Sequence, residues 1–313
     1  MIYVLGSINT DLVARTERMP SPGETVTGQS FATTSGGKGA NQAIAAKMAG
    51  SAVALVGAVG DDAFAVAALA ELTAASVDLS RVQTEPAATG TAIILVDASG
   101  QNMITVVPGA NALATTDMAR SSVAAMTAAD ILLLQMEIPA DTVEIALELS
   151  RDNGIVTILN IAPFAAETAR LASLANIIVA NESEFELLAG RTIDTHTERI
   201  SALKTLYGES GQTIVVTLGP DGVVAIHKNE ILSAKGLTIV PVDTVGAGDT
   251  FCGYLAASLE QGTSFPQALR RAAVAGSLAC LKHGAQTSMP AASSVDATLL
   301  TEDDRISAHI AMG

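Results

Sequence analysis

The stretch DTVGAGDT (243–250) places a carboxylate directly after two glycines, where a helical pattern begins. Gly246 and Gly248 lack side chains, so backbone N–H groups can converge on an anion, and the N-terminus of a helix adds positive potential. Asp249 can cap that helix or take a proton from a group beside the bound anion. The stretch therefore predicts an anion-binding loop next to a candidate base.

A second glycine-rich stretch, SGGKGANQA (35–43), precedes another helical pattern. It is not a Walker loop, because Gly39 follows Lys38 where Ser or Thr is required, and Gln42 occupies the third-glycine slot of a dinucleotide fingerprint. The glycines let a ligand approach the backbone, while Lys38 and Asn41 supply donors of different geometry. The stretch is typical of a site for a polyhydroxylated ligand, or of a plain turn before a helix.

Three polar side chains follow apolar runs that are typical of strands. Asn9 and Asp11 lie in SINTD (7–11), after the first run, and Glu137 follows DILLLQ (130–135). Open α/β sheets bind ligands where strands end, and this mixture of donors and acceptors suits vicinal hydroxyls. Asx residues in such places also form turns, and Glu137 alone indicates no more than a solvated loop acid.

Two further loops have alternative interpretations. In NESE (181–184), Asn181 and Glu184 have the spacing of a helix capping box. Their oxygens also suit a water-clad Mg²⁺ near phosphates, because Mg²⁺ takes few protein ligands. TLGPDG (217–222) predicts either a hairpin turn or a backbone wall for a nucleotide.

The composition bounds the class of protein. The chain has 313 residues, is 49% hydrophobic and 16% charged, and carries a net charge of −15. A large core is available, and the negative charge argues against broad binding to nucleic acids or anionic membranes. Two cysteines form no zinc pattern or disulfide framework, and no run has the length of a signal or membrane segment. We therefore expect a cytoplasmic protein.

Strand and helix patterns alternate along the chain. Apolar, β-branched runs typical of strands lie at 2–5, 53–59, 91–96, 103–107, 130–135, 155–160, 176–181 and 213–218. Several of them show no polar alternation, which predicts strands buried on both faces of a parallel sheet. Helical stretches separate many of them, at 40–49, 63–75, 139–152, 195–206, 249–260 and 266–281. This order predicts a doubly wound α/β sheet, with antiparallel strands at its edge after residue 213.

Two segments interrupt the alternation and predict a small separate sheet. Residues 12–34 contain no long helical pattern, and 91–107 has two strand patterns around DASGQN. With no linker or repeat in the chain, we expect one domain, 1–313, in which these segments form an inserted lid. Ordinary surface loops are the alternative. A lid of this kind exposes unpaired strand edges, so we expect a homodimer through the lid.

Taken together, these motifs resemble the ribokinase-like (PfkB) carbohydrate kinases. The resemblance spans nearly the whole chain and rests on five stretches in order: GSINTD, PSPGETVTG, GGKGANQA, DTVGAGDTFCG and HGAQTSMP. It implies a three-layer α/β/α sandwich with a mostly parallel central sheet and a small β-sheet lid. It also implies transfer of the ATP γ-phosphoryl group to O5 of D-ribose, with Mg²⁺ and activation by a monovalent cation such as K⁺.

The resemblance implies a role for each matching position. Sugar contacts fall on Asn9, Asp11, Gly37, Lys38, Asn41 and Glu137. The catalytic base is Asp249, and its anion hole is formed by Gly246, Ala247 and Gly248. Nucleotide contacts fall on Asn181, Thr217, Gly219, Gly222 and Gly248, with Glu184 associated with Mg²⁺ through water. The monovalent cation positions are Asp243, Val245, Cys280, His283 and Ser288.

One position departs from the pattern of the family, and other functions stay open. Ala273 stands where some relatives place a His or Asn beside the adenine, so this position does not specify ATP over other nucleotides. The same chemistry on deoxyribose, fructose or a nucleoside is the nearest alternative. A non-catalytic sugar-binding regulator is another, and the broken glycine fingerprints disfavour a Rossmann oxidoreductase.

Overall fold

A computed structural model describes the backbone of residues 1–311 and the side chains of residues 1–301. Its strands, in chain order, are β1 (Ile2–Leu5), β2 (Asn9–Thr16), β3 (Gly28–Gly36), β4 (Val53–Gly60), β5 (Asp78–Glu85), β6 (Gly90–Val96), β7 (Asn102–Val107), β8 (Ile131–Leu134), β9 (Val156–Asn160), β10 (Ile177–Asn181), β11 (Thr213–Thr217), β12 (Val223–His227) and β13 (Glu230–Ala234). Its α-helices are α1 (Lys38–Met48), α2 (Ala63–Ala74), α3 (Thr116–Ala124), α4 (Ala140–Asp152), α5 (Thr168–Ala172), α6 (Glu182–Ala189), α7 (His196–Ser210), α8 (Ala247–Glu260), α9 (Phe265–Ala279) and α10 (Ala292–Ala311).

The central sheet has nine strands in the order β13-β12-β11-β10-β9-β8-β1-β4-β5. In this order, each neighbouring pair from β11 across to β5 is parallel. At the other edge, β12 is antiparallel to β11 and β13 is antiparallel to β12. The predicted doubly wound sheet with an antiparallel edge after residue 213 is confirmed. Because parallel strands end at one side of a sheet, the loops after β1, β8, β10 and β11 meet there.

The two faces of the sheet pack against separate sets of helices. In β1, Ile2 and Val4 contribute to a core with α1, α8 and α9, while Tyr3 and Leu5 contribute to a second core with α3 to α7. Successive side chains of a strand point to opposite faces, so a strand covered on both sides must be apolar throughout. This explains why β1, β4 and β8 show no polar alternation.

The second sheet has four strands in the order β3-β2-β6-β7. It is a mixed sheet, because β2 pairs with β3 in antiparallel fashion and with β6 in parallel. We call it the small sheet. Along the chain, the first strand of the small sheet is β2, which begins at Asn9, three residues before the predicted segment 12–34. The last three residues of SINTD therefore belong to the small sheet.

The small sheet is attached to α2 through side chains of its strands. Thr10 Oγ1 donates a hydrogen bond to the Phe64 carbonyl (2.9 Å), and Ser35 Oγ donates to the Ala67 carbonyl (2.8 Å). These contacts fix the base of the small sheet above the carboxyl end of β1.

No helix in the described part of the chain is long and apolar enough to cross a bilayer.

Candidate active site

Asp249 lies in the first turn of α8 and is only 8% exposed. Its Oδ2 accepts a hydrogen bond from Asn41 Nδ2 (2.9 Å), and its Oδ1 accepts one from Gln42 Nε2 (3.0 Å). Both partners belong to α1, which packs closely against α8. Side chains of another helix therefore hold the Asp249 carboxylate. A residue that only capped α8 would bond to backbone N–H groups of α8 and would not need these partners.

The loop before α8 is shaped by Gly246. This residue is the N-cap of α8 and has φ +78°, in the left-handed region that favours glycine. A Cβ at this position would lie 2.9 Å from Ala285 Cα, so the loop also packs tightly against residue 285. The amide of Ala247 donates a long hydrogen bond to the Thr244 carbonyl (3.3 Å). Among the predicted anion-hole residues, Gly246 and Gly248 line the cleft described below.

The start of α1 approaches β1 more closely than a side chain would allow. Gly37 has φ +87°, and a Cβ there would lie 2.7 Å from the Asn9 nitrogen. A Cβ on Gly39 would lie 2.6 Å from the backbone of Gly6 and Ser7. These glycines therefore serve the packing of α1 against the end of β1. This contact brings the helix that carries Lys38 and Asn41 to the ligand-binding edge of the sheet.

Glu137 connects this helix start to the loop after β1. Its Oε2 accepts hydrogen bonds from Ser7 Oγ (2.5 Å) and from the Lys38 backbone nitrogen (3.1 Å). Ser7 Oγ in turn accepts from the Gly39 nitrogen (3.3 Å). Glu137 is therefore ordered by the N-terminus of α1, and is not a solvated loop acid.

Asn9 is buried, and a second asparagine fixes its side chain. Its Oδ1 accepts a hydrogen bond from Asn111 Nδ2 (2.7 Å), while Asn111 Oδ1 accepts from the Ile8 nitrogen (2.9 Å). A Cβ on Gly90 would lie 2.1 Å from Asn111 Nδ2, so only glycine leaves room for this pair. The Asn9 oxygen is already occupied, which leaves its amide nitrogen for a ligand.

Asp11 lies on β2 beside two other carboxylates. Burial raises the pKa of Asp11, and the charges of Glu137 and Asp249 raise it further, to about 7. A Cβ on Gly36 would lie 2.2 Å from Asp11 Oδ1, so the carboxyl group also rests against the backbone of β3. The predicted sugar-binding residues therefore lie close together at one end of the small sheet, where they form an acidic and mostly buried cluster.

The raised pKa of Asp11 predicts a pH dependence of stability. Between about pH 4, where an unfolded Asp loses its proton, and pH 7, the folded protein binds more protons than the unfolded chain. The free energy of unfolding therefore decreases as the pH rises through this window. We expect urea titrations at pH 5 and pH 8 to show a larger decrease for the native sequence than for Asp11→Asn. Equal decreases would contradict the assigned shift.

An open cleft joins the start of α8 to the carboxyl ends of β10 and β11. It has an empty volume of about 490 Å³, and the predicted site residues that line it are Lys38, Asn181, Glu184, Thr217, Gly246, Gly248 and Asp249. Burial alone would lower the pKa of Lys38, but the carboxylates of Asp249, Glu137 and Glu184 raise it above its usual value. Lys38 is therefore a cation held in its charged form by neighbouring acids, and it lines the cleft where an anionic ligand would bind.

Asn181 and Glu184 form a capping box at the start of α6. Glu184 Oε2 accepts from the Asn181 nitrogen (2.9 Å), and the Glu184 nitrogen donates to Asn181 Oδ1 (2.8 Å). The same Glu184 carboxylate faces the cleft. Each of its oxygens has a further lone pair for a metal-bound water. The pair therefore fits both interpretations, a helix cap and a water-mediated Mg²⁺ position.

The remaining predicted nucleotide residues differ in position. Thr217 ends β11 and lines the cleft. Gly219 and Gly222 form the turn into β12 and are not among the described residues that line the cleft. Gly222 has φ +93°, and a Cβ there would lie 2.3 Å from the Ala234 carbonyl oxygen. The conformation of the turn and its contact with Ala234 therefore explain why residue 222 is glycine, and no bound ligand is needed to explain it.

The predicted monovalent cation positions lie on two loops that Asp243 joins. Its Oδ1 accepts from the Val245 nitrogen (3.0 Å), and its Oδ2 accepts from the Gly284 nitrogen (3.0 Å), between His283 and Ala285. The Asp243 carboxylate and the nearby backbone carbonyls are oxygen ligands of the type an alkali cation takes, although the His283 carbonyl also accepts from Thr287 Oγ1 (3.2 Å). Cys280 fits less well, because its carbonyl already accepts from the nitrogens of Val242 (2.8 Å) and Asp243 (3.3 Å). Ser288 is buried, with Oγ bonded to the Ala285 carbonyl (2.8 Å).

Several buried amides at the site were not predicted from the sequence. They contact Asp249, Asn41 or Asn9 directly or through one neighbour, and they are Gln42, Asn111, Gln135, Asn160 and Gln286. Gln42 and Gln286 lie within the motifs GGKGANQA and HGAQTSMP, which was the available signal. The other three lie outside those motifs, and only the folded chain brings them to the site.

Comparisons with known proteins agree with this arrangement. A model of the "pfkB family carbohydrate kinase" matches residues 1–292. The chain is 35% identical over 290 residues to the ribokinase of Haemophilus influenzae, covering 92% of this chain and 95% of that protein. It is 32% identical over 291 residues to the deoxyribokinase of Salmonella typhi, covering 92% and 95%.

A solved structure of Arabidopsis thaliana ribokinase complexed with ribose and ATP superimposes on this chain with a TM-score of 0.83. The sequence identity is 30%, and the alignment covers 94% of this chain and 96% of that one. The predicted ribokinase-like fold, a mostly parallel α/β/α sandwich with a small sheet, is thereby confirmed. By its sequence over nearly its full length and by its fold, the chain belongs to the pfkB family of carbohydrate kinases.

Proposed function

We propose that this chain transfers the γ-phosphoryl group of ATP to O5 of D-ribose, giving D-ribose 5-phosphate and ADP. One observation carries the proposal: the Asp249 carboxylate is anchored by α1 in the same cleft that Gly246 and Gly248 line. A proton acceptor beside an anion-binding loop is what phosphoryl transfer to a hydroxyl group needs. The ribokinase relatives and the ribose–ATP complex of the Arabidopsis protein support the choice of substrates.

The proposed mechanism depends on positioning and on charge stabilisation. Asn9, Asp11, Lys38 and Asn41 orient the sugar so that O5 lies between Asp249 and the γ-phosphate. O5 forms a bond to phosphorus as the bond from phosphorus to the β,γ-bridging oxygen breaks, and Asp249 accepts the O5 proton. A carboxylate suffices as the base because the hydroxyl becomes acidic only as its bond to phosphorus forms.

The start of α8 stabilises the charge on the transferring group. The backbone amides of Gly246 and Gly248 and the positive end of the helix face the γ-phosphate, and one such donor can contribute about 3 kcal/mol. The Ala247 amide would join them on giving up its long hydrogen bond to the Thr244 carbonyl. The Lys38 ammonium adds a full positive charge at the same cleft. Thr217 and Asn181 contact the nucleotide, while Gly219 and Gly222 shape the turn beside it.

Metal ions complete the proposed site. Glu184 would hold Mg²⁺ through water at the mouth of the cleft, and Mg²⁺ supplies charge neutralisation on the phosphate oxygens when bound. Asp243 and carbonyl groups of the loops at Val245, His283 and Ser288 would hold a K⁺ ion. Because Gly246 packs against Ala285, an ion between these loops would also stabilise the anion-binding loop.

A coupled assay of ADP release tests the proposal. D-ribose, 2-deoxyribose, fructose and a set of nucleosides are compared, each with and without K⁺, in the presence of Mg²⁺ and ATP. We expect the highest kcat/KM for D-ribose and a further increase with K⁺. ADP release that is independent of every acceptor, or ribose binding without any ADP release, would contradict a kinase and favour a sugar-binding regulator.

Phosphorylation of deoxyribose is the second candidate function. The deoxyribokinase relative, at 32% identity, is nearly as similar to this chain as the ribokinase relatives are. The two substrates differ only in the 2-hydroxyl group, so the panel must measure both at equal concentration. A kcat/KM that is higher for deoxyribose would reassign the acceptor and leave the proposed roles of Asp249 and the anion-binding loop intact.

We also propose that the small sheet is the lid of a single domain, residues 1–313, built on segments 12–34 and 91–107. Asp11 lies at the base of the small sheet, close enough to Glu137 and Asp249 for their charges to raise its pKa, so the proposed lid is joined directly to a proposed sugar contact. Closure would exclude water, which otherwise competes with the sugar as acceptor. Thr10 and Ser35 bond the base of the small sheet to α2, so closure would be a movement of the outer ends of its strands relative to this base.

The lid is also the proposed homodimer interface. On the face of the small sheet opposite Asp11, cross-strand partners Phe31, Ala14, Leu95 and Met103 form one row, and Phe31 and Met103 are 67% and 58% exposed. Apolar side chains this exposed favour a protein partner, and the edge strands β3 and β7 have unpaired backbone groups. A second copy of the lid would cover both.

A charged substitution on this face should separate the dimer. We expect sedimentation of the native protein to show a dimer, and Phe31→Lys to shift it toward monomer because a buried ammonium would be left unpaired. Leu187→Lys is the control, since Leu187 is 58% exposed on α6, away from the lid. A native monomer at all concentrations would contradict the proposed interface.

A further inference from the structure

A row of buried amide side chains surrounds the Asp249 carboxylate. On one side, Gln42 Nε2 donates to Asp249 Oδ1, and Gln42 Oε1 accepts from Gln135 Nε2 (2.6 Å). On the other side, Asn41 Nδ2 donates to Asp249 Oδ2, and Asn41 Oδ1 accepts from Gln286 Nε2 (3.1 Å). All of these side chains are buried. The carboxylate therefore has a donor on each oxygen, and each donor has its own support.

The orientation of the Gln42 amide is determined by its neighbours. Asn160 Nδ2 donates to the Val179 carbonyl (3.2 Å), so Asn160 Oδ1 must point toward Gln42 and accept from Nε2 (3.1 Å). Asp249 Oδ1 is also an acceptor, so the two hydrogens of Gln42 Nε2 are both used. Gln42 Oε1 then accepts from Gln135. Each polar atom of Gln42 is satisfied in only this orientation.

The two donors of Asp249 differ in their support. Gln135 Oε1 and Gln286 Oε1 lack a hydrogen-bond partner within the described structure. Turning over the Asn41 amide would set its Oδ1 against Asp249 Oδ2, and both atoms are acceptors, so Asn41 keeps its donor toward the carboxylate. The orientation of Gln42 is fixed twice, by Asp249 and by Asn160. Gln42 is therefore the more firmly held of the two donors that orient Asp249.

Close helix packing brings Gln42 to Asp249. A Cβ on Gly253 of α8 would lie 2.4 Å from Ala45 Cβ and 2.7 Å from the Gln42 carbonyl oxygen. Only glycine permits this distance between α1 and α8. The separation of the helices and the length of a glutamine side chain together set where the carboxylate lies in the cleft.

We propose that Gln42 is a positioning residue for Asp249: it fixes the rotation of the carboxylate so that one oxygen faces the acceptor hydroxyl. The inference rests on the proposed kinase function. Gln42 contacts neither proposed substrate, because its polar atoms are bonded to Asp249, Asn160 and Gln135. Its removal should therefore affect the chemical step and leave substrate binding nearly unchanged.

The test compares Gln42→Met with the native protein in steady-state kinetics with ATP and D-ribose. Methionine keeps the length and volume of the side chain but removes its donors. We expect kcat to fall roughly 10- to 100-fold, as for a catalytic group displaced by about 1 Å, while KM for the sugar changes less than about threefold. Gln212→Met is the control, because Gln212 Nε2 also donates two hydrogen bonds, to the Ala172 and Ala175 carbonyls, far from the cleft.

A double-mutant cycle separates positioning from a structural role. In an Asp249→Asn background, Gln42→Met should cause no further loss of kcat, because the group it positions is already gone. A loss as large as in the native background would show that Gln42 acts by other means and would overturn the proposal, as would an unchanged kcat in the single variant.

A second variant covers the case in which Gln42→Met does not fold. Gln135→Met removes the bond that supports Gln42 and also removes an oxygen that has no partner, so it should fold; we expect a smaller loss of kcat, with KM for the sugar retained. An unchanged kcat in this folded variant would overturn the proposal. If the native protein releases no ADP with any sugar, the proposed function itself fails, which is a distinct result because it is seen before any variant is made.

Discussion

Asp249→Asn should lower kcat at least roughly 10²-fold, within the range for loss of a general base, and leave sugar binding largely intact. The amide keeps the shape of the carboxylate but cannot accept the hydroxyl proton. Its oxygen can still accept from Gln42. Its new NH₂ group would face the Asn41 donor, and Asn41 and Gln286 can turn over together to present an acceptor instead. We therefore expect the variant to fold and to bind the sugar.

The measurement pairs kinetics with binding. Turnover is followed by coupled ADP release, and the affinity for D-ribose is measured by calorimetry on the same preparations. A matched substitution is Asp117→Asn, which also replaces an acid in the first turn of a helix, α3, but lies outside the wall of the cleft; it should leave kcat unchanged. Near-normal kcat in Asp249→Asn would remove the proposed role of Asp249 as the base.

Gly253→Ala should destabilise the protein and lower its activity, although alanine is the better helix former. The added Cβ would lie 2.4 Å from Ala45 Cβ and 2.6 Å from the Ala46 nitrogen, both on α1. Relief of this overlap requires α1 and α8 to separate. Overpacking of a core typically costs about 1–3 kcal/mol. Separation would also move Asn41 and Gln42 away from Asp249, so kcat should decrease as well.

Gly208→Ala is the control for this prediction. Gly208 also lies inside an α-helix, α7, but a Cβ there meets no atom within 4 Å. It should raise the free energy of unfolding by up to about 1 kcal/mol through helix propensity. Urea unfolding and ADP release are measured for both variants. If Gly253→Ala stabilised the protein as much as Gly208→Ala, this result would contradict the close contact between α1 and α8.

The sequence predicted the strands that are apolar and missed elements of mixed or polar composition. β1, β4 and β8 read as strands because both faces are covered, and apolar residues alone satisfy such strands. β5 (DLSRVQTE) was missed because it is an edge strand with mixed polarity. α3 (TDMARSSVA) was missed because it is short and polar, with only one face buried against the sheet.

The candidate site was predicted where local sequence determines it. Glycine runs before α1 and α8 predicted close backbone approach, and the structure places Asp249, Lys38 and Gly248 in one cleft. The amides around Asp249 could not be predicted, because their partners lie far apart in the chain: Gln42 and Gln135 are separated by 93 residues, and Asn41 and Gln286 by 245. No local pattern specifies which buried amide will face which carboxylate.

Asn181 and Glu184 show why two interpretations of one motif need not compete. Their hydrogen bonds are those of a capping box, as the spacing predicted, yet the same carboxylate faces the cleft. The cap fixes the rotamer of Glu184 and thereby aims its free lone pairs. A structural bond of this kind is compatible with a water-mediated role at a metal ion.

A crystal structure with D-ribose, Mg²⁺ and a non-hydrolysable ATP analogue tests the central claim most directly. The distance between the Asp249 carboxylate and O5 of the sugar is the deciding quantity. We predict that one carboxylate oxygen lies within hydrogen-bonding distance of O5, about 2.6–3.2 Å, with the γ-phosphate against the Gly246–Gly248 loop on the other side. A sugar bound with O5 outside hydrogen-bonding reach of Asp249, or a γ-phosphate that does not contact the loop, would contradict the account.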